Sequence, residues 1–349
     1  MKIVVLAGGL SPERSVSLSS GAMVAQALRS RGHQTALMDL FFGTEGTDGN
    51  KDPFQAPIPE QFKRVSRQAP DLKQVRASRR DASPSAIGPG VLELCRQADV
   101  VFLALHGACG EDGRIQAALD LLGVPYTGSG CLSSAIAMDK DLTKRLAAGQ
   151  VVTPKWQAVT VTEDNLEQLA RDTALPAVVK PIDSGSSIGV SIARDRQQLC
   201  AALEQSILLG GRTVLEEYIS GREIQIAILD GQALPSIEII PKTGFYDYEN
   251  KYQPGAAEEV CPAPIPPEWE ERIAQAALRV FRAVGLSVYA RADFIVTPDG
   301  TPYFLEINTL PGMTPTSLVP QEAAAAGIDY PSLCERIIRS SLEARKAGR

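Results

Sequence analysis

The 349-residue chain is poor in several residue types that carry common chemistry. Aromatic residues make up only 5% of it, and it has two histidines. Its six cysteines include no CxxC pair, so we expect neither a zinc site nor a disulfide framework, and such thiols are typical of a reducing compartment. The net charge is −6 and the isoelectric point is about 5.2. This balance argues against a general nucleic-acid-binding surface.

Long apolar runs are also absent. No segment approaches the length of a membrane span, and the N-terminal run KIVVLAGG is too short for a secretory signal and leads at once into Glu13 and Arg14. We therefore expect a cytoplasmic protein that binds neither membrane nor nucleic acid. The length of the chain allows two or three domains.

Two apolar runs near the C-terminus flank a turn sequence at 297–300, which predicts a β-hairpin. Asp293 lies in the first run and Glu306 in the second, where acidic side chains are costly unless they are paired or bind metal. Asn308 follows Glu306 by two residues and so projects from the same face of the strand. These side chains offer the oxygen ligands that Mg²⁺ prefers, and Mg²⁺ held in this way usually also binds nucleotide phosphates. The hairpin therefore predicts a magnesium–nucleotide site.

Short apolar runs alternate with helical patterns in the first third of the chain, which predicts a parallel α/β sheet. The predicted strands cover 3–6, 33–40 and 99–105, and the predicted helices cover 15–30 and 113–122. Between residues 43 and 90 the pattern is lost among Pro, Gly, Ser and charged residues. We interpret this segment as a solvated insertion, partly helical or disordered, with a nucleic-acid-binding arm as the weaker alternative.

The rest of the chain predicts two further domains. One helix is expected over 133–148 and a last helix over 330–347, at the edge of the final domain. Strands are expected at 177–180, 187–193, 213–218 and 223–229. We place the domains at 1–127, 128–213 and 214–349.

Lys180 ends a predicted strand and precedes the glycine- and serine-rich turn of KPIDSGSSIGV. Such a turn is often a plain hairpin, but small residues also let backbone N–H groups approach a phosphate, and a lysine adds charge. The magnesium site downstream favours the phosphate-binding interpretation. Lys140 in MDKDLTK is either a surface residue or a second phosphate ligand.

Four other segments have both a structural and a functional interpretation. Glu216 and Glu223 either are surface carboxylates or bind the adenine and ribose of a nucleotide. His106 follows a predicted strand at its carboxyl end, where α/β sheets present ligand-binding groups, although a lone histidine is more often structural. Glu13 either is an ordinary carboxylate near a helix start or anchors a substrate amine. The segment FYDYENKY either packs its aromatic side chains on a surface loop or closes over a site as a lid.

Taken in order, the motifs resemble those of the ATP-grasp superfamily and, within it, the D-alanine–D-alanine ligase family. The resemblance spans nearly the whole chain except the insertion, and it rests on GGLSPERSVSLSSG, LHGACGEDG, PYTGSG, MDK, KPIDSGSSIGV, YDYENKY, RADF and EINTLPGMTPTSL. It implies an α+β ATP-grasp fold, in which an N-terminal parallel α/β domain precedes two ATP-grasp domains that enclose the nucleotide. It also implies ATP-dependent ligation of two D-alanines through a D-alanyl phosphate, for peptidoglycan synthesis, and a homodimer.

The resemblance also implies a role for each matching residue. The ATP phosphates would contact Lys140, Lys180 and Lys251, with Glu216 on adenine and Glu223 on ribose. The rest of the ATP pocket would be formed by Ser186, Ser187, Glu217, Tyr218, Ile219, Phe245 and Leu305. Two Mg²⁺ ions, or Mn²⁺ in their place, would be held by Asp293, Glu306 and Asn308.

For the D-alanine substrates, the resemblance assigns the ammonium of the first molecule to Glu13. Glu13, Ser186 and Tyr252 would form a hydrogen-bonded triad that ties the lid to the site. Arg291 and the Gly312 N–H would stabilise the oxyanion. The carboxylate of the second D-alanine would be received by Ser317 and Leu318, with His106 nearby.

Two competing hypotheses stay open from the sequence. The same scaffold could make a D-alanine–D-lactate depsipeptide or D-alanine–D-serine, although Tyr252 after Lys251 favours the D-alanine dipeptide. A regulatory nucleotide-binding protein without catalysis is the alternative from another class. Arg291 argues against it, because nucleotide binding alone requires no oxyanion-stabilising group.

Overall fold

The structure is a computed structural model, which describes residues 1–45, 52–63, 65–66, 69–185, 187–242, 257–314 and 316–347. Three β-sheets with flanking helices make up this part of the chain. The arrangement is mixed α/β, as predicted.

The first sheet is parallel, with three strands in the order β2-β1-β3. The strands are β1 (Lys2–Ala7), β2 (Gln34–Asp39) and β3 (Val100–Leu103). Helix α1 (Arg14–Ser30) follows β1 and packs its apolar side chains on this sheet. The predicted alternation of strand and helix in the first third is confirmed.

The described part of the predicted insertion contains one helix, α2 (Leu72–Ala77), and a 3₁₀ turn over Glu60–Lys63. It is not simply a solvated loop, because Arg79 is buried and its guanidinium donates to the carbonyls of Phe41, Ser83 and Ser85. A buried guanidinium with several acceptors fixes the segment to the first domain. Helices α3 (Val91–Cys95) and α4 (Arg114–Leu121) complete this region.

The single helix expected over 133–148 is wrong. Two helices occupy that region, α5 (Cys131–Met138) and α6 (Lys140–Ala147), separated by Asp139 in an extended conformation. The Asp139 carboxylate accepts a hydrogen bond from the Leu142 N–H at 3.0 Å, so Asp139 acts as the N-cap of α6. The break turns Lys140 toward the second sheet, where its N–H donates to the Ile182 carbonyl.

The second sheet is antiparallel, in the order β4-β7-β5-β6. Its strands are β4 (Trp156–Thr160), β5 (Ala177–Pro181), β6 (Ser191–Ala193) and β7 (Arg212–Glu217), and its helices are α7 (Leu166–Asp172) and α8 (Arg196–Leu208). The strand expected over 187–193 is too long, because Ser187 and Gly189 have φ angles of 57° and 74° and form a turn. The strand begins at Ser191.

The third sheet is antiparallel, in the order β11-β10-β8-β12-β13, with β9 beside β8. Its strands are β8 (Arg222–Leu229), β9 (Gln232–Ala233), β10 (Ile237–Pro241), β11 (Ala257–Val260), β12 (Tyr289–Val296) and β13 (Pro302–Asn308). Helix α9 (Pro267–Ala283) covers one face, where its apolar side chains share a buried cluster with β8, β12 and β13. The predicted hairpin is present as β12 and β13.

Two helices end the chain, α10 (Leu318–Ala325) and α11 (Tyr330–Ala347). The range of α11 matches the prediction, but the helix does not lie at the edge of the last domain as expected. Leu333, Ile337 and Ile338 are buried in the cluster that contains β1 and β3, so the last helix completes the core of the first sheet. Within the described ranges, no helix combines the length and apolarity that a membrane span requires. The boundaries proposed near residues 127 and 213 stay a prediction.

Candidate active site

The hairpin of β12 and β13 places the predicted metal ligands on one face. Asp293 lies opposite Glu306, and Arg291 lies opposite Asn308, in antiparallel register. The register then shifts after Asp293, so that Phe294 pairs with Phe304 and Leu305 lies at the bulge. Side chains at directly opposed positions of two strands lie on the same face of the sheet.

In this structure, the carboxylates of the hairpin are paired with cations. Arg291 binds Asp293 through Nε to Oδ1 at 2.8 Å and Nη2 to Oδ2 at 3.0 Å. Asn308 Nδ2 lies 3.4 Å from Asp293 Oδ2. Lys140 Nζ lies 3.2 Å from Glu306 Oε2 and donates to the Ser184 carbonyl at 2.6 Å. The site therefore balances its negative charge internally.

The predicted trio offers two carboxylates and one amide. Accordingly, no group of three or more His, Cys, Asp and Glu side chains with metal-binding geometry occurs in the described residues. The oxygen-only set on one face nevertheless fits Mg²⁺, which needs few protein carboxylates when phosphates and water complete its shell. Partial exposure of the Glu306 side chain, 22%, leaves it accessible to such ligands.

A second charged cluster surrounds Glu216 on β7, the residue predicted to bind adenine. Glu216 is buried, and its two oxygens bind two lysines, Lys180 Nζ at 2.7 Å and Lys144 Nζ at 3.0 Å. Burial alone would raise the pKa of Glu216, but the two ammonium groups outweigh it and lower the pKa below its usual range. Glu216 is therefore a carboxylate, and not the surface group of the alternative interpretation.

The other residues expected around adenine and ribose follow along the chain. The backbone of Tyr218 is fixed by its N–H, which donates to the Pro176 carbonyl at 3.2 Å, and the Glu217 carboxylate accepts the Lys155 N–H at 2.8 Å. Ile219 follows them in the link between β7 and β8. Glu223 lies on β8, beside the hairpin strand β12, and accepts a hydrogen bond from Gln225.

The first domain contributes a buried carboxylate at the start of α1. The Glu13 side chain lies close to two glycines, since a Cβ built on Gly107 or on Gly185 would lie 3.0 Å from Glu13 Oε2. Only the absence of side chains there lets the two loops approach Glu13 so closely. Glu13 of the first domain and the 184–185 turn after β5 therefore meet.

His106 and Glu111 hold the loop that follows β13. The Leu310 carbonyl accepts from His106 Nδ1 at 2.9 Å, and the Leu310 N–H donates to Glu111 Oε1 at 3.3 Å. Glu111 Oε2 also accepts the Gly107 N–H at 2.8 Å. Burial lowers the pKa of His106 and, with the nearby charge of Glu13, raises the pKa of Glu111 to about 8. Both polar groups of the Leu310 backbone, its carbonyl and its N–H, are therefore hydrogen-bonded to side chains of the first domain.

The 310–313 loop has one more contact with the first domain, because the Met313 N–H donates to Ser20 Oγ at 3.3 Å. Gly312 packs against Ser317, whose Oγ would lie 2.7 Å from a Cβ at Gly312. Ser317 precedes α10, and its Oγ accepts the Thr314 N–H at 3.0 Å. The Leu318 side chain is buried with Ile237 and Ile239, so it packs in the core.

One pocket brings together part of the predicted set, namely Lys140, Glu306 and Asn308, whereas Glu13, Lys180 and Glu216 are not among its lining residues. Its lining includes side chains or backbone from all three sheet regions: Glu111, Lys140, Ser184, Gly185, Glu306 and Asn308. Ser187 lies in the turn next to it. Ser186, Phe245, Lys251 and Tyr252 lie outside the described residues, so the expected triad and lid stay predictions.

Two groups near the site were not predicted from the sequence. Glu111 has no predicted functional role, yet its carboxyl group accepts from the backbone N–H groups of both Gly107 and Leu310. Lys144 was not singled out at all, although its spacing of four residues from Lys140 places both lysines on one face of α6. That spacing was the available signal.

Comparisons with known proteins show the family of the chain. Residues 2–129 match the model for "D-ala D-ala ligase N-terminus", and residues 147–339 match "D-ala D-ala ligase C-terminus". The chain is 42% identical to a D-alanine–D-alanine ligase of Pediococcus pentosaceus and 38% identical to one of Geotalea uraniireducens. The alignments cover 97% of both chains in the first case, and 97% of this chain and 95% of the other in the second.

A solved structure shows the same likeness. The crystal structure of a D-alanine–D-alanine ligase from Bacillus anthracis complexed with ATP superposes with a TM-score of 0.75, at 33% identity and over 100% of both chains. The fold and the charged cleft therefore define an ATP-grasp ligase. Within that class, the chain belongs to the D-alanine–D-alanine ligase family.

Proposed function

We propose that the pocket between the three sheet regions is where this chain joins two D-alanines at the expense of ATP. Family membership over the full length makes ATP-dependent D-alanine–D-alanine ligation, an early step of peptidoglycan synthesis, the activity of this chain. The location of the active site is proposed because one pocket is lined by Glu111, Lys140, Gly185 and Glu306. The roles below are assigned within that activity.

ATP is placed along the second and third sheets. Its phosphates are bound by Lys140, Lys180 and Lys251, of which Lys140 and Lys180 belong to the described residues. Glu216 accepts from the adenine amino group, and Glu223 binds the ribose. The support for this placement is the buried Lys180–Glu216 pair, which sets a base-binding carboxylate beside a phosphate-binding ammonium.

Asp293, Glu306 and Asn308 would hold Mg²⁺ or Mn²⁺. When bound, the metal would neutralise phosphate charge during transfer. Arg291 and Lys140, which are paired with Asp293 and Glu306 in this structure, would then be released toward the reacting groups. This exchange of partners keeps every buried charge compensated.

The reaction has two steps. The carboxylate of the first D-alanine, whose ammonium is bound by Glu13, takes the γ-phosphoryl group of ATP and gives an acyl phosphate and ADP. The amine of the second D-alanine then attacks the carbonyl carbon and loses a proton, and inorganic phosphate leaves. Arg291 and the Gly312 N–H face the oxygen on which negative charge develops.

The second D-alanine is placed at the start of α10, where Ser317 and the Leu318 backbone bind its carboxylate and His106 lies behind the 310–313 loop. Free N–H groups in the first turn of a helix favour a bound anion. The acyl phosphate must be kept from water, so the lid that carries Tyr252 closes over it and contacts Glu13 and Ser186. Cytoplasmic location and a homodimer complete the proposal.

Product analysis tests the function directly. Release of ADP is measured with D-alanine, D-lactate, D-serine and L-alanine, offered singly and in pairs. We expect turnover with D-alanine alone, and a dipeptide as product. Absence of D-alanine-dependent phosphate release would reject the proposal, and preferential ester formation with D-lactate at neutral pH would reassign the chain to depsipeptide synthesis.

A further inference from the structure

The Lys144 side chain is completely buried, which is rare for a lysine. Its ammonium lies 3.0 Å from Glu216 Oε1 and 3.4 Å from the Phe304 carbonyl, and the centre of the Trp156 ring lies 5.7 Å away. A buried ammonium is tolerated only where such partners replace water. None of the roles assigned above uses Lys144.

These neighbours come from different sheets. Glu216 is the penultimate residue of β7 and Trp156 begins β4, both in the second sheet. Phe304 lies on β13 of the third sheet, two residues before Glu306. Lys144 therefore lies at the joint between the adenine side of the site and the strand of the predicted metal ligands. Its own helix, α6, also carries Lys140.

Glu216 binds two ammonium groups at once, Lys144 and Lys180. In the proposed complex with ATP, Lys180 turns to the phosphates and gives up part of its contact with Glu216. A buried carboxylate that lost its counter-charge at that moment would be strongly destabilised. The Lys144 side chain is completely buried and its ammonium also donates to the Phe304 carbonyl, so it can keep its contact with Glu216 throughout.

We propose that Lys144 is a positioning residue for ATP, a role that rests on the proposed function. It holds the Glu216 carboxylate charged and oriented toward the adenine amino group, and it thereby frees Lys180 for the phosphates. Lys144 itself touches neither substrate nor the reacting atoms. Its effect on the reaction passes through Glu216.

The substitution Lys144→Met keeps most of the side-chain volume and removes the charge. Glu216 then depends on Lys180 alone, so ATP must break a buried ion pair to reach Lys180. We expect the KM for ATP to rise about tenfold or more, while kcat changes less than about threefold. The control is Arg145→Met, which removes an exposed cation from the same helix and should leave both constants unchanged.

A purely structural role gives a different result. Lys144→Met would then lower the melting temperature and the fraction of active enzyme, and so the apparent kcat, but the KM for ATP of the folded enzyme would equal that of the wild type. That result would overturn the proposal. A normal KM for D-alanine in the variant is expected, because the effect is confined to the nucleotide.

A double-mutant cycle gives an independent test, which remains informative if the Lys144→Met variant folds poorly. In a Glu216→Gln background there is no buried carboxylate to hold, so adding Lys144→Met should change the KM for ATP by less than about threefold. Equal effects of Lys144→Met in both backgrounds would overturn the proposal. Wild-type enzyme without D-alanine-dependent turnover would instead reject the proposed function itself, so the two failures are distinguishable.

Discussion

Lys140 and Glu306 form an ion pair across the cleft, with Nζ 3.2 Å from Oε2. The lysine begins α6, and the carboxylate lies on β13 of the third sheet, directly opposite Asp293. A phosphate-binding cation and a metal-binding anion would thus neutralise each other until nucleotide and metal arrive. Lys140 is buried and Glu306 is partly exposed, so the lysine in particular cannot lose its partner without a replacement.

Replacing Glu306 by glutamine should remove most of the turnover. The amide keeps the shape of the side chain but is a poor ligand for a hard cation and cannot pair with Lys140, so we expect a fall in kcat of about 100-fold or more. The melting temperature should stay near that of the wild type, because the side chain is partly exposed. The measurement is ADP release with saturating D-alanine. Near wild-type rates would show that Glu306 does not hold the metal; the matched control is Glu343→Gln at an exposed position of α11.

Removal of divalent cations should abolish ligation without unfolding the protein. The metal site consists of side chains on a hairpin that is already paired strand to strand and packed against α9, so its formation does not require the ion. We expect no turnover in excess chelator, full recovery with excess Mg²⁺, and an unchanged melting curve without nucleotide. Turnover that persists in chelator would contradict a metal-dependent reaction.

Asp139 explains one difference between the sequence expectation and the structure. No proline or glycine marks a break in the segment AIAMDKDLTK, so its helical pattern predicts one helix. The break is produced by the Asp139 side chain, which caps α6 and forms an ion pair with Arg212 of β7 at 3.1 Å. A contact with a strand that lies far along the chain cannot be read from local periodicity.

Substituting Asp139 by alanine should therefore cost stability. Loss of an N-cap typically costs about 1 kcal/mol, and the partly exposed ion pair adds little to that figure. The free energy of unfolding in urea measures the change. Asp141→Ala serves as a comparison within the same helix turn, since Asp141 pairs with Arg145 and Trp156 but does not cap the helix. Stability equal to the wild type would show that the break has another cause.

The candidate site was predictable in part, and the hairpin shows why. Its strands are neighbours in sequence, so the alternation of Asp293, Glu306 and Asn308 was enough to place them on one face. The paired contacts of Glu216 with Lys144 and Lys180 join residues from three separate segments. Such contacts depend on how the sheets pack, which no local pattern encodes. The same holds for α11, whose apolar face gives no indication that it covers the first sheet.

Glu111 gives the fold a specific dependence on pH. Burial raises the pKa of its carboxyl from the ordinary 4.5 to about 8, so between these values the folded protein binds more protons at this group than the unfolded chain does. The free energy of unfolding contributed by Glu111 is therefore fully present below about pH 4.5 and is lost as the pH rises through about 8. Above that pH, a charged Glu111 faces the nearby charge of Glu13 in the same buried space.

The variant Glu111→Gln lacks this titration but keeps an acceptor for one of the two backbone N–H groups, Gly107 or Leu310. We expect the wild type to have a higher free energy of unfolding than the variant. This difference should be largest at about pH 5 and should shrink as the pH rises to about 8.5. Urea unfolding at a series of pH values measures it. The exposed Glu343→Gln variant should show a constant difference from the wild type over the same range. If the difference in free energy of unfolding between the wild type and Glu111→Gln stays constant or grows with pH, the prediction is wrong. The Glu111 carboxyl group would then be charged in the folded protein at all of these pH values, and Leu310 would be bound by a carboxylate.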